Sequence, residues 1–139
     1  MEYDNDNIFA RILRNEIPAE RVYEDENTLV IMDIMPRVDG HTLVIPKTPC
    51  RNMLDASAEQ MSACMNTVQK IGRAMMDKLD AEGIIVQQFN EEAAGQVVFH
   101  LHYHVLPRTT GEALRPPGTM GDTAVIESYA QKLRAALKD

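Results

Sequence analysis

The apolar positions of the chain alternate between two periods, and each stretch of constant period marks an element. Over residues 7–16 they fall at Ile8, Phe9, Ile12 and Leu13, the spacing of one helix face. Asn7 can cap the start, and Ile17-Pro18 is the expected stop, because the residue before a proline avoids helical backbone. Residues 20–24 and 28–34 flank the turn-rich Glu24-Asp25-Glu26-Asn27 and predict a hairpin. Residues 40–47 predict a third strand that Pro46 ends or places at an edge. Met61, Cys64, Met65, Val68, Ile71, Met75 and Leu79 recur at steps of three and four. Residues 57–80 should therefore be one long amphipathic helix, opened by a Ser57/Gln60 capping box. Residues 83–89 predict a fourth strand, 90–96 a loop in which Gly95 allows a turn, and 99–108 a fifth strand. After an irregular stretch, Val125, Ile126, Tyr129, Leu133 and Leu137 predict a last helix over 123–138, capped by Asp122 or Thr123.

Composition narrows the class. At 139 residues the chain is expected to be one domain, 1–139. An apolar fraction of 45% with 25% charged residues is ordinary for a soluble globular protein. No apolar run approaches the ~18 residues that span a bilayer, so no membrane partner is expected. Met1-Glu2-Tyr3-Asp4 carries no apolar leader, and Cys50 and Cys64 sit in no paired motif. Together these suggest free thiols and a cytoplasmic location. Cys64 lies on the apolar stripe and reads as a buried, inert thiol. A net charge of −7 without a basic cluster argues against nucleic-acid binding. A small anionic substrate stays open, because local donors can hold a phosphate against an unfavourable overall field.

The chemistry concentrates in Phe99-His100-Leu101-His102-Tyr103-His104-Val105. Three of the four histidines alternate with apolar residues, so a strand period puts all three imidazoles on one face and Leu101, Tyr103 and Val105 against the core. Nucleophilic catalysis is one reading: an imidazole with an ordinary pKa of about 6.5 is largely neutral at pH 7 and can attack phosphorus. A metal site is a second, though His100 and His104 start about 13 Å apart on a flat strand at 3.3–3.4 Å per residue, which is awkward for convergence on one ion. Packing or pH-sensing histidines are the third. Asp33 closes an apolar strand and can be a turn former, His41 alone reads as structural, and Lys47 reads as solvated surface.

The stretch Gly95-Gln96-Val97-Val98-Phe99-His100-Leu101-His102-Tyr103-His104-Val105-Leu106 resembles the signature of the histidine-triad (HIT) family, His-x-His-x-His followed by apolar residues. Met32-Asp33-Ile34-Met35-Pro36 resembles that family's ribose-binding stretch. The resemblance covers about residues 7–108, with 109–139 as a C-terminal extension. It implies an α+β fold: a five-stranded antiparallel sheet with a long helix, a short N-terminal helix and a C-terminal helix. It also implies a homodimer with a sheet continuous across the interface.

For function, the resemblance implies a purine nucleotide substrate cleaved at its α-phosphorus through a nucleotidyl-histidine, as in the Hint-like branch acting on nucleoside phosphoramidates. His102 would be the nucleophile, with His100, His104 and His41 completing the catalytic set. Ile8, Phe9, Ile12 and Ile34 would hold the base and Asp33 the ribose, with Asn90 and Gln96 completing the substrate-binding set. Val97 departs from the pattern, since many relatives carry a hydroxyl there near the phosphate. Some bacterial relatives hold a structural zinc through a Cys-x-x-Cys pair whose positions here are Asn7 and Ala10, so neither a structural metal nor a cofactor is expected. Dinucleoside polyphosphate hydrolysis, nucleotidyl transfer to another acceptor, and a non-catalytic nucleotide-binding scaffold are the alternatives.

Overall fold

The computed structural model describes residues 2–138; Met1 and Asp139, the ends of the expected domain, lie outside the described residues. The elements run α1 (Ile8–Leu13), β1 (Arg21–Glu24), β2 (Thr28–Met32), β3 (Thr42–Pro46), α2 (Ala58–Lys78), β4 (Gly83–Gln87), β5 (Tyr103–Arg108) and α3 (Thr123–Ala136), with a single 3-10 turn at Glu92–Ala94. The strands form one antiparallel sheet in the order β1-β2-β3-β5-β4. This is the expected α+β arrangement.

Both faces of the middle of the sheet are covered, which is why every residue of β2 and β3 is buried. On one face Val30, Met32, Val44, Tyr103 and Val105 pack with Cys64, Val68, Ile71 and Met75 of α2 and with Ala130 and Leu133 of α3. On the other, Leu29, Ile31, Leu43 and Ile45 meet Phe9 and Ile12 of α1. The strand period thus sends alternate residues into two separate cores. Burying side chains of this size stabilises by roughly 1.5–3 kcal/mol each. A hydrogen bond between Thr28 and Thr67 (2.7 Å) ties β2 to α2 within the larger core.

Caps set the helix ends. Asn7 accepts from the Ala10 N–H, so the pair at the zinc-ligand positions of some relatives here forms the start of α1. Ser57 and Gln60 form the reciprocal capping box on α2, and Asp122 caps α3. α1 ends earlier than expected. Arg14 is its C-cap and Asn15 takes a left-handed conformation (φ 63°), so Pro18 is not what stops it. Asparagine tolerates that backbone because its short polar side chain bonds locally, and here it accepts from Arg21 at 2.8 Å.

The fifth strand is also shorter than expected. Regular pairing begins at Tyr103, opposite Val44, and residues 97–102 precede it outside the ladder. The cause lies in its neighbour. β3 ends at Pro46, which has no N–H to offer, and the chain beyond it turns away. Leu101 then donates instead to the Cys50 carbonyl (2.9 Å). No helix is long and apolar enough to cross a membrane among the described residues.

Gly40 joins the Asp33–Asp39 loop to β3 with φ +94°, and a Cβ there would sit 3.0 Å from Pro107 Cγ and 3.1 Å from Leu79 Cδ1. Gly40→Ala should lower the unfolding free energy by about 1–3 kcal/mol through backbone strain and crowding. Urea titration should give a lower midpoint at unchanged slope, and an unmoved midpoint would show that the loop relaxes without cost.

Candidate active site

α1 is six residues long and covers the β2–β3 part of its face. Of the three triad imidazoles, His102 is the one that meets α1, at the Phe9 ring. Leu101, Tyr103 and Val105 point into the opposite core. His102 and His104 are half-buried with ring centroids 5.1 Å apart, while His100 is fully buried. His104 is held in the ladder between Leu43 of β3 and Gln87 of β4. The Phe9 ring meets His102 edge-on at 4.8 Å, and the Phe89 ring meets His104 at 5.6 Å.

The protons on all four imidazoles follow from their partners. A carbonyl can only accept, so His100 Nε2, 2.8 Å from the Pro46 carbonyl, carries a proton. His102 Nδ1, 2.7 Å from the His100 carbonyl, likewise carries one, which leaves His102 Nε2 with a free lone pair. A backbone N–H can only donate. Arg37 N donates to His41 Nδ1 (3.0 Å), so His41 holds its proton on Nε2 and donates it to His104 Nδ1 (2.9 Å). His104 therefore keeps its own proton on Nε2. The site presents one bare imidazole nitrogen beside one imidazole N–H.

Burial keeps these rings neutral. It pushes His100, His102 and His104 each down to about 4, against weaker upward pulls from the carbonyls of Pro46 and His100 and from Asp33. His41 is lowered by the same cause, with the Asp33 carboxylate opposing. Asp33 accepts from the Met35 N–H (2.8 Å), and its other oxygen lies 3.4 Å from His41 Nε2 and 4.0 Å from His104 Nδ1.

Asp33, His41 and His104 bring three ligand atoms within 4.8 Å of one another, near enough to consider a cation. The protonation pattern does not fit one. His41 Nε2 bears a hydrogen because Nδ1 takes the Arg37 N–H. Two nitrogens 2.9 Å apart are also closer than the roughly 3.3 Å that separates ligands on a tetrahedral ion with 2.0–2.1 Å bonds. The pair is a hydrogen bond, and the residues do not form a metal cage.

The remaining candidates differ in exposure and partners. Ile8 and Ile34 stand at the surface, 44% and 51% exposed, where an apolar ligand could cover them. Ile12 is buried in the core under Phe9. Asn90 is tied to the loop after β3 and to its near neighbour Gln88, accepting from Met53 N and Gln88 Nε2 and donating to Gln88 Oε1. Gln96 is buried with its whole amide engaged: Oε1 accepts from Asn52 and the Glu91 N–H, and Nε2 donates to the carbonyls of Arg51 and Val98. It braces the loop into the triad and presents nothing outward. Val97 is 83% exposed and offers no hydroxyl.

Two contributors carry no sequence signal: the Arg37 N–H, a backbone group, and Tyr3, whose hydroxyl lies 2.6 Å from His100 Nδ1 across 97 positions of chain. The C-terminal segment packs on this chain's own Ile34–Asp39 loop. Arg115 N donates to the Arg37 carbonyl (2.7 Å), Gly121 N to the Ile34 carbonyl (2.9 Å), and the Arg115 side chain pairs with Asp39 (2.6 Å).

The HIT domain model matches residues 14–111. The protein called Hit of Bacillus subtilis is 43% identical over 101 residues, 73% of this chain and 70% of that one. A crystal structure of a Hit-like protein from Bartonella henselae, described as involved in cell-cycle regulation and holding an unknown ligand, is 50% identical. It superposes with a TM-score of 0.93, covering 99% of this chain and all of that one. An adenylylsulfatase of Arabidopsis thaliana is 34% identical over 110 residues, 79% of this chain and 56% of that protein. The domain match over most of the chain, the identities and the shared fold lead to one conclusion: this chain belongs to the HIT domain family.

Proposed function

We propose that the protein is a hydrolase of purine nucleotides that cleaves a leaving group from the α-phosphorus through a nucleotidyl-histidine on His102, with nucleoside phosphoramidates or adenylated amines as substrates. One observation carries this reading. The His102 proton is held on Nδ1 by a backbone carbonyl and burial lowers its pKa to about 4, so near neutral pH Nε2 keeps a free lone pair and needs no base. The adenylylsulfatase activity named for the Arabidopsis relative supports the same bond class, an adenylyl group on a leaving group.

His102 Nε2 forms the N–P bond as the bond to the leaving group breaks, and the leaving group departs with that electron pair. His104, through its Nε2–H, donates to the phosphoryl oxygens or the bridging atom, where charge grows. It takes the part of the hydroxyl that Val97 lacks. A water oxygen then attacks phosphorus, gives up a proton that balances the one the leaving group takes, and returns the N–P electron pair to Nε2. The products are a nucleoside monophosphate and the protonated leaving group. Phe9, with Ile8 and Ile34 at the surface and Ile12 behind, would hold the base. Asp33 would take the ribose hydroxyls with the lone pairs that the Met35 N–H leaves free.

Homodimer formation belongs to the same proposal. β4 is an edge of the sheet, and Ile84 and Val86 on it are 37% and 43% exposed. Ile84 borders a depression of about 480 Å³ lined also by Gly72 and Met76 of α2, away from the histidines. A second copy pairing edge to edge would cover this strip and satisfy its free backbone groups. A reducing, cytoplasmic setting suits the buried, unpaired thiols of Cys50 and Cys64.

His102→Ala should reduce hydrolysis of an adenosine phosphoramidate by about 10³-fold or more while AMP still binds, because it removes a group that acts at the transition state. Comparable turnover by the variant, measured with chelator present, would refute the covalent step. The pH profile should be flat near neutrality. Protonation of His102 removes the nucleophile, and its folded pKa lies near 4 rather than 6.5, so kcat/KM should hold at pH 5.5 and fall toward pH 4. A midpoint near 6.5 would mean an exposed nucleophile. Val86→Lys should turn a dimer into a monomer in sedimentation velocity, and a monomeric wild type would remove the dimer from the proposal.

A further inference from the structure

We propose that Tyr3 is a positioning residue of the site, acting on the nucleophile through His100; this rests on the reading of His102 as the nucleophile. The imidazole of His100 has no solvent exposure, so each of its nitrogens needs a partner inside the protein. Nε2 donates to the Pro46 carbonyl, which leaves Nδ1 as an acceptor. The Tyr3 hydroxyl supplies the donor at 2.6 Å, and the two rings meet edge-on at 5.6 Å. The direction of this bond is forced, because the one proton of a neutral ring is already on Nε2.

The contact sets the nucleophile at one remove. The carbonyl that holds the His102 Nδ1–H belongs to His100 itself. A ring pinned at both nitrogens, to β3 on one side and to the N-terminal segment on the other, fixes the backbone that carries this carbonyl. The Tyr3 hydroxyl also opposes protonation of His100, since it bonds the lone pair a proton would take. A cation there would stand next to the attacking imidazole and weaken it.

The N-terminal segment is fastened firmly enough for this task. Asn7 donates from its backbone (3.2 Å) and side chain (2.8 Å) to the Asp4 carbonyl. Arg14 reaches the Asn5 carbonyl (2.7 Å), and Arg51 reaches the Glu2 carbonyl (3.2 Å). The cap of α1 and the loop after β3 thus fasten the residues on either side of Tyr3.

Tyr3→Phe keeps the ring and removes only the donor. With an adenosine phosphoramidate, kcat should fall about tenfold, the scale of one lost buried hydrogen bond, with KM within about twofold. The acid limb of the pH profile should move to higher pH. In ¹⁵N-histidine NMR spectra the His100 Nδ1 signal should shift to that of an unbonded ring nitrogen, and His102 should become a mixture of tautomers. A merely structural role would lower the urea midpoint and leave the His102 tautomer alone. Unchanged kcat together with an unchanged His102 tautomer overturns the inference. If the wild type does not turn over the substrate, the hydrolase reading fails, and the tautomer of His102 in Tyr3→Phe still decides the role of Tyr3.

Discussion

A half-buried imidazole cannot be left to choose where its proton sits. In water the two tautomers of histidine exchange freely, and a ring held mainly by side chains can still shift. Here three of the four rings meet a backbone group that can only give or only take, the carbonyls of Pro46 and His100 and the amide of Arg37, and His41 passes the constraint on to the ring of His104. The consequence is a bare nitrogen and an N–H placed side by side with no charge on either ring. Burial makes the cationic forms costly, and the directional partners decide which neutral form remains.

These partners exist because of where strands and loops stop. Pro46 ends β3 without a donor of its own, and its carbonyl is left for His100. The chain ahead of β5 is free of the ladder, so the His100 carbonyl can turn to the ring two residues on. The Arg37 amide is held in place by the C-terminal strap, through Arg115 N to the Arg37 carbonyl and Arg37 Nε to the Arg115 carbonyl (2.9 Å). The strap is distant in sequence from the histidines, yet it backs the loop that sets the proton on His41. α3, which follows the strap, closes the core on the opposite face of the sheet.

What could be read from the chain beforehand was what repeats. The period of two put Leu101, Tyr103 and Val105 in one core and the imidazoles on the other side, and the steps of three and four along 57–80 gave α2 its buried stripe. The capping box at Ser57 and Gln60 was local and therefore visible. Long-range polar pairs left no such trace. Tyr3 sits in a segment without periodicity, and nothing near it signals a histidine far along the chain. Gln96 stands beside the triad and looks available, but its amide is closed on Asn52, Glu91, Arg51 and Val98. The end of α1 departs from the expected stop for a related reason. Pro18 is a strong stop, but the left-handed Asn15 acts first, and its tolerance depends on a partner, Arg21, in the next element.

The overall charge of −7 opposes the approach of an anionic substrate. The site resolves this locally without adding cations. Its imidazoles are neutral and its nearest formal charge is the carboxylate of Asp33, so a phosphate would be held by N–H dipoles rather than by ion pairs. Such donors do not attract an anion from afar, and salt screens them little at contact distance. Their advantage appears as negative charge accumulates on the phosphoryl oxygens, when a donor already aimed needs no reorganisation. A cationic site would bind the ground state tightly as well, whereas neutral donors fixed in place favour the transition state over the bound nucleotide. Neutral N–H donors at the phosphate are thus consistent with a site arranged for turnover rather than for retention.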